Sequence, residues 1–90
     1  MSWVLPTYKH VHRLADNPVV KCGCGRITNA DMMLDVRALP AALRGQHEFV
    51  CDACRERWIM KGRTSREGLY RALGAPDTVL ARMRRFDGRT

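Results

Sequence analysis

Four cysteines stand in two close pairs, Cys22-Gly23-Cys24 and Cys51-Asp52-Ala53-Cys54. Zn²⁺ favours four soft ligands in a tetrahedron, commonly supplied by two short chelating turns that the fold brings together. The second pair has the common two-residue spacing. The first is one residue tighter, and Gly23 and Gly25 give its turn the backbone freedom this requires. If the second pair opens a helix, Cys51 and Cys54 sit where unpaired N–H groups and the helix dipole favour the ligating thiolate. Lys21, Arg26 and Arg55 flank the site and offset its negative charge. The expected cofactor is therefore one structural Zn²⁺ held by Cys22, Cys24, Cys51 and Cys54. The competing readings are free or disulfide-linked cysteines, and redox or catalytic chemistry. A redox Cys-x-x-Cys leaves the first pair unexplained, and a catalytic zinc needs an open position that four cysteines fill.

The three histidines are weaker candidates. His10 and His12 could point the same way from a strand and are read as surface or packing residues. His47, four residues before Cys51, could replace a cysteine only if its strand turned it toward the metal.

These ligands need elements to carry them. Asn17-Pro18 signals a turn, and Val19-Val20 a short strand leading into the first pair. Thr28-Asn29-Ala30-Asp31 reads as a helix start, the helix running through Met32, Met33 and Val36 to about Ala38, where Pro40 interrupts it. A short turn from Ala41 to Arg44 ends at Gly45, and Gln46 to Val50 is a strand that delivers the second pair. A helix is expected from Asp52 to about Lys61, stopping at Gly62. Thr64 and Ser65 cap another through Leu69 and Leu73, stopping at Gly74, and Pro76-Asp77 opens a last helix to about Phe86. Its residues Val79, Met83 and Phe86 share one face, with Arg82, Arg85 and Arg89 a quarter-turn around. Trp3, Val4, Leu5, Tyr8 and Val11 give the first 18 residues apolar anchors, so this arm is expected to pack partly as an extended strand.

Val20-Lys21-Cys22-Gly23-Cys24-Gly25-Arg26 resembles the knuckle of a zinc-ribbon or treble-clef finger. Phe49-Val50-Cys51-Asp52-Ala53-Cys54-Arg55-Glu56-Arg57-Trp58 is similar to the strand-then-helix half of a treble clef. The resemblance covers residues 19–61 and implies metal binding; such fingers serve many unrelated functions. An HNH-type nuclease also uses a treble clef, but its catalytic histidine and partners have no clear counterparts here. Residues 65–86, from Ser65-Arg66-Glu67 to Arg82-Met83 and beyond, resemble a helix-turn-helix. Leu69, Leu73, Leu80 and Met83 would form its inner face, and Thr78, Arg82 and Arg85 would point outward from the recognition helix. The competing reading is an ordinary helical hairpin with a basic outer face.

The expected fold is thus a small α+β domain, mostly helical: a four-cysteine zinc finger of treble-clef or zinc-ribbon type followed by a basic helical hairpin. An N-terminal arm (1–18), a zinc-binding module (19–62) and the hairpin (63–90) would make a single compact domain. Ninety residues suffice for one domain whose core is marginal, so a metal staple would help. No apolar run approaches a membrane span. The start, Met1 to Pro6, lacks the basic leader and apolar stretch of a secretion signal, so the cytoplasm, which keeps thiols reduced, is the expected location.

The net charge is +7, and residues 52–90 hold ten cations against five acids, so most of the excess lies there. An acidic partner follows, either a phosphate backbone or an acidic protein surface, with no membrane involved. The first functional reading is an accessory or regulatory protein binding nucleic acid through Arg63, Arg66, Arg82, Arg85 and Arg89. The alternative is a protein-interaction module, such as a phage- or mobile-element-type adaptor or inhibitor of a larger host complex. An enzyme is not expected, because no paired carboxylates, nucleophile–base set or phosphate-cradling loop stands out.

Overall fold

Val19–Lys21 (β1) pairs antiparallel with Ile27–Asn29 (β2), Val20 opposite Thr28, so the Cys-Gly-Cys-Gly-Arg segment becomes the turn of a hairpin. The computed structural model describes residues 3–87. After β2 a single 3₁₀ turn, Ala30–Met32, leads into Leu34–Asp35 (β3), which pairs antiparallel with Phe49–Val50 (β4), Leu34 opposite Val50. The helix expected from Ala30 to Ala38 is therefore absent, replaced by this turn and strand. Met33, Leu34 and Val36 are all buried, and Val36 N–H donates to the Glu48 carbonyl at 2.9 Å. Cross-strand pairing to the segment before Cys51 outweighs the local signal of Thr28 to Asp31.

The N-terminal arm closes the other side of β3. Tyr8 N–H donates to the Met33 carbonyl and Asp35 N–H to the Pro6 carbonyl, both at 2.7 Å, around a bridge from Thr7 to Leu34. Beyond this extended contact the arm forms a helix that sequence did not suggest, Tyr8–Val11 (α1), with the Thr7 hydroxyl accepting the His10 N–H at 3.2 Å. Between β3 and β4 lies Ala41–Arg44 (α2), as expected. The Arg44 guanidinium ties this loop by donating to the carbonyls of Leu39 (3.0 Å) and His47 (3.1 Å).

Asp52–Met60 (α3) follows directly on β4 and buries Cys54 and Trp58, one turn apart on one face. Arg66–Ala72 (α4) is capped by Ser65, whose hydroxyl accepts the Gly68 N–H at 2.9 Å. Asp77–Asp87 (α5) packs back on α4. Leu34, Val36, Val50, Trp58, Leu69 and three of the cysteines share one hydrophobic cluster, so the metal-ligand candidates are part of the core. No helix among the described residues is long and apolar enough to cross a membrane.

Candidate metal centre

The hairpin β1–β2 presents the first pair. Cys22 N–H donates to the Arg26 carbonyl at 2.8 Å and Gly25 N–H to the Cys22 carbonyl at 2.9 Å, folding five residues into a knuckle. At Gly23 the knuckle has a close neighbour that spacing alone does not reveal. A Cβ there would fall 2.8 Å from His47 Cε1 and 2.9 Å from its Nδ1, so the imidazole lies directly on the glycine. β4 delivers Cys51 as the residue capping α3, and the first turn of α3 carries Cys54.

The four sulfurs lie within 4.8 Å of one another. Cys22 Sγ is 3.7 Å from Cys54 Sγ and Cys24 Sγ is 3.7 Å from Cys51 Sγ, so each close contact joins one turn to the other. A regular tetrahedron with metal–sulfur bonds of about 2.3 Å has edges of about 3.8 Å. These contacts have the length expected for sulfurs around one ion, and none of the four cysteines is in a disulfide. The four cysteines therefore form a site able to hold one metal ion. Cys51 N–H also points at Cys22 Sγ, 3.4 Å away, as amides do around ligating sulfur.

The sulfurs are not equivalent. Cys22, Cys51 and Cys54 are buried and Cys24 is exposed. The Arg26 backbone amide, helped by the neighbouring sulfurs, lowers the Cys24 thiol to about 7. Burial pushes the Cys51 thiol up, and burial together with the Cys24 and Cys22 sulfurs pushes the Cys54 thiol far up. Placement at a helix start was expected to favour thiolate at Cys51 and Cys54; desolvation, the largest influence on both thiols, acts against it. Four thiolates this close require a compensating cation, which a divalent metal supplies. Arg26 and Asp52, 3.6 Å apart and both substantially exposed, sit beside the centre as a weak surface pair.

His47 is not part of the sulfur cluster; it packs on the knuckle instead. His12 stacks against Tyr8 (4.3 Å between ring centroids) and faces Phe49 (5.7 Å), a packing role, and His10 is exposed on α1. The arginines nominated for partner binding fare differently. Arg66 forms a two-pronged pair with Glu56 at 2.6 and 2.8 Å, and Arg63 donates to the Ala42 carbonyl at 2.9 Å. Arg82 and Arg85 are exposed on α5, while Arg89 lies outside the described residues, as does the side chain of Phe86. Sequence reasoning missed Arg44 as the tie of the α2 loop, and no local signal marks a side chain that bonds carbonyls across a turn. No protein-family model, curated protein or solved structure matches the chain.

Proposed function

We propose that the chain is a small zinc-binding accessory or regulatory protein that engages nucleic acid, or a nucleoprotein complex, through its C-terminal helices. The observation that carries the metal half is the convergence of four sulfurs within 4.8 Å of one another, with the two contacts that join the turns at 3.7 Å. An all-thiolate set with three buried members suits a closed structural Zn²⁺ site. The element order, a knuckle hairpin, a second hairpin and then a helix carrying the last ligands, supports a treble-clef type of finger. Unpaired thiols fit a reducing compartment such as the cytoplasm. The reading is of a binder without a catalytic role.

The nucleic-acid half rests on charge. The chain carries +7, and Arg82 and Arg85 stand exposed on α5 while Leu80 of the same helix is buried. That division supports a helix-turn-helix-like use of α4 and α5. Arg63 and Arg66 are already engaged by the protein itself, so Arg82 and Arg85 are the stronger phosphate contacts. Gel shifts with duplex DNA, single-stranded DNA and RNA across a salt series test the reading. Binding that weakens steeply with salt, and weakens further in an Arg82→Ala/Arg85→Ala variant, is expected. No binding at low salt would end it.

One observation favours the alternative, a protein-interaction adaptor. A hollow of about 460 Å³ lined by Leu39, Pro40, Leu43, Leu69 and Ala72, with Arg63 beside them, runs between α2 and α4. Pull-down with and without nuclease separates the two, since a directly bound protein partner survives digestion.

A further inference from the structure

Three helices of this protein end in the same hydrogen-bonded turn. At the end of α3, Gly62 N–H donates to the Ile59 carbonyl and Arg63 N–H to the Trp58 carbonyl, both at 3.0 Å. At the end of α4, Gly74 N–H donates to Arg71 at 3.0 Å and Ala75 N–H to Tyr70 at 3.1 Å. At the end of α1, Arg13 N–H donates to His10 at 3.2 Å and Leu14 N–H to Lys9 at 3.0 Å. The turn places one residue in the left-handed region, where a Cβ crowds the following carbonyl and glycine is favoured. Gly62 (φ 72°) and Gly74 (φ 88°) obey this; Arg13 (φ 53°) does not, and among the described residues it is the one non-glycine with positive φ. An unfavourable residue where glycine would serve the fold better points to a use for its side chain.

What surrounds that side chain suggests the use. Arg13 lines a hollow of about 560 Å³ together with Thr7, Lys9, His10 and Leu14. No carboxylate is among the lining residues, and neither Lys9 nor Arg13 forms an ion pair with any described residue. Arg71 and Arg84, by contrast, are both bound to Glu67. The Thr7 oxygen accepts the His10 N–H, which leaves its own proton free to donate. Two cations, an imidazole and a hydroxyl thus line one hollow, and no carboxylate among the described residues pairs with either cation. A tetrahedral oxyanion would offer the guanidinium fork and the ammonium several oxygens to share.

We propose that the Thr7–Lys9–His10–Arg13 hollow is an anion site that takes the phosphate group of a ligand, either a backbone phosphodiester or a free phosphoryl group. The site belongs to the N-terminal arm and does not rest on the role given to α5.

Amide NMR titration of the zinc-loaded chain tests it, using inorganic phosphate, sodium chloride of matched ionic strength, and a dinucleotide without a terminal phosphate. Saturable shifts of Lys9, His10, Arg13 and Leu14 are expected with a phosphate compound and not with chloride. Saturation by inorganic phosphate supports the site with a free phosphoryl group as ligand; saturation by the dinucleotide alone supports it with the phosphodiester. Arg13→Gly should weaken binding about ten-fold, as loss of a charge-assisted pair does, while its thermal midpoint stays equal or rises. Lys9→Gln, which leaves the helix end untouched, should weaken binding in the same direction. The Arg82→Ala/Arg85→Ala variant should titrate unchanged, so failure at this site is distinct from failure on α5. Equal, unsaturating drift in phosphate and chloride, or full affinity in Arg13→Gly, would overturn the proposal.

Discussion

Residues 19–62 and the hairpin of α4 and α5 are held together by different means. In the first region Cys22, Cys51 and Cys54 lie in the same buried cluster as Leu34, Val36, Val50 and Trp58, so the candidate ligands and the hydrophobic core are one object. In the second, Leu69 joins that cluster with Tyr70 and Leu73 packed against it, but Leu80 and Ala75 are buried outside it. What joins α5 to α4 at the surface is Glu67, paired with Arg71 at 2.6 Å and Arg84 at 2.9 Å. Exposed pairs of this kind add little stability each. Loss of a metal ligand is therefore expected to reach the whole buried cluster, Leu69 of α4 included, whereas loss of the Glu67 pairs should be felt only at the surface between α4 and α5.

The largest effect should come from removing a ligand. Cys54→Ser is expected to abolish cooperative melting of the whole chain, because structural zinc contributes about 10–16 kcal/mol and a domain of this size has only about 5–15 kcal/mol in total. Excess chelator should do the same. Circular dichroism melts with the metal measured in parallel check both, and a cooperative transition in demonstrably metal-free protein would contradict the unity of ligands and core. Next in size is Trp58→Ala. Trp58 lies one turn beyond Cys54 on α3 and is 7% exposed, so a destabilisation of about 3–5 kcal/mol is expected, with zinc retained at low temperature.

Much of this architecture is written in local chemistry, and what is not has a common cause. Helices α3, α4 and α5 are legible because each carries a local start or stop signal: Ser65 with Gly74 around α4, Gly62 after α3, Pro76-Asp77 before α5. The cysteine quartet is legible because metal geometry demands both pairs. The segment from Ala30 to Ala38 is not, since Leu34 becomes a strand only through partners at Val50 on one side and Thr7 on the other, both distant in sequence. α1 escapes notice for being four residues long with an arginine where a glycine stop would announce it. The arginines show the same limit. Composition makes Arg63, Arg66, Arg82 and Arg85 alike; only the fold shows that the first two are committed to Ala42 and Glu56.

A subtler change tests how tightly the knuckle is fitted. Gly23→Ala places a methyl group 2.8 Å from the His47 ring, which must swing aside, so a loss of at most about 1 kcal/mol, the low end of overpacking, is expected. His47→Ala in the same chain removes the obstacle, so the double variant should recover most of the lost stability in urea melts. If the double variant is as unstable as Gly23→Ala alone, the glycine is required for its backbone and not for the imidazole above it.

The smallest effect, and the one that separates the two regions most directly, lies in acid. Arg84 and Arg71 hold the Glu67 carboxyl down at about 2. A carboxyl whose folded value lies below its unfolded one stabilises the fold fully above the ordinary carboxylate range, and that contribution fades only as pH falls toward about 2. A metal ion held by the four cysteines should respond in the same direction but earlier. Its ligands must be thiolates, protons compete with the ion for them, and the Cys51 and Cys54 thiols are pushed upward by burial. On acidification, metal release and loss of the core should therefore precede any protonation of Glu67. Glu67→Gln should leave the pH midpoint of metal release unchanged while making α5 amides exchange slightly faster at neutral pH. A shift of the metal-release midpoint in that variant would show instead that the Glu67 pairs contribute to the stability of the metal module.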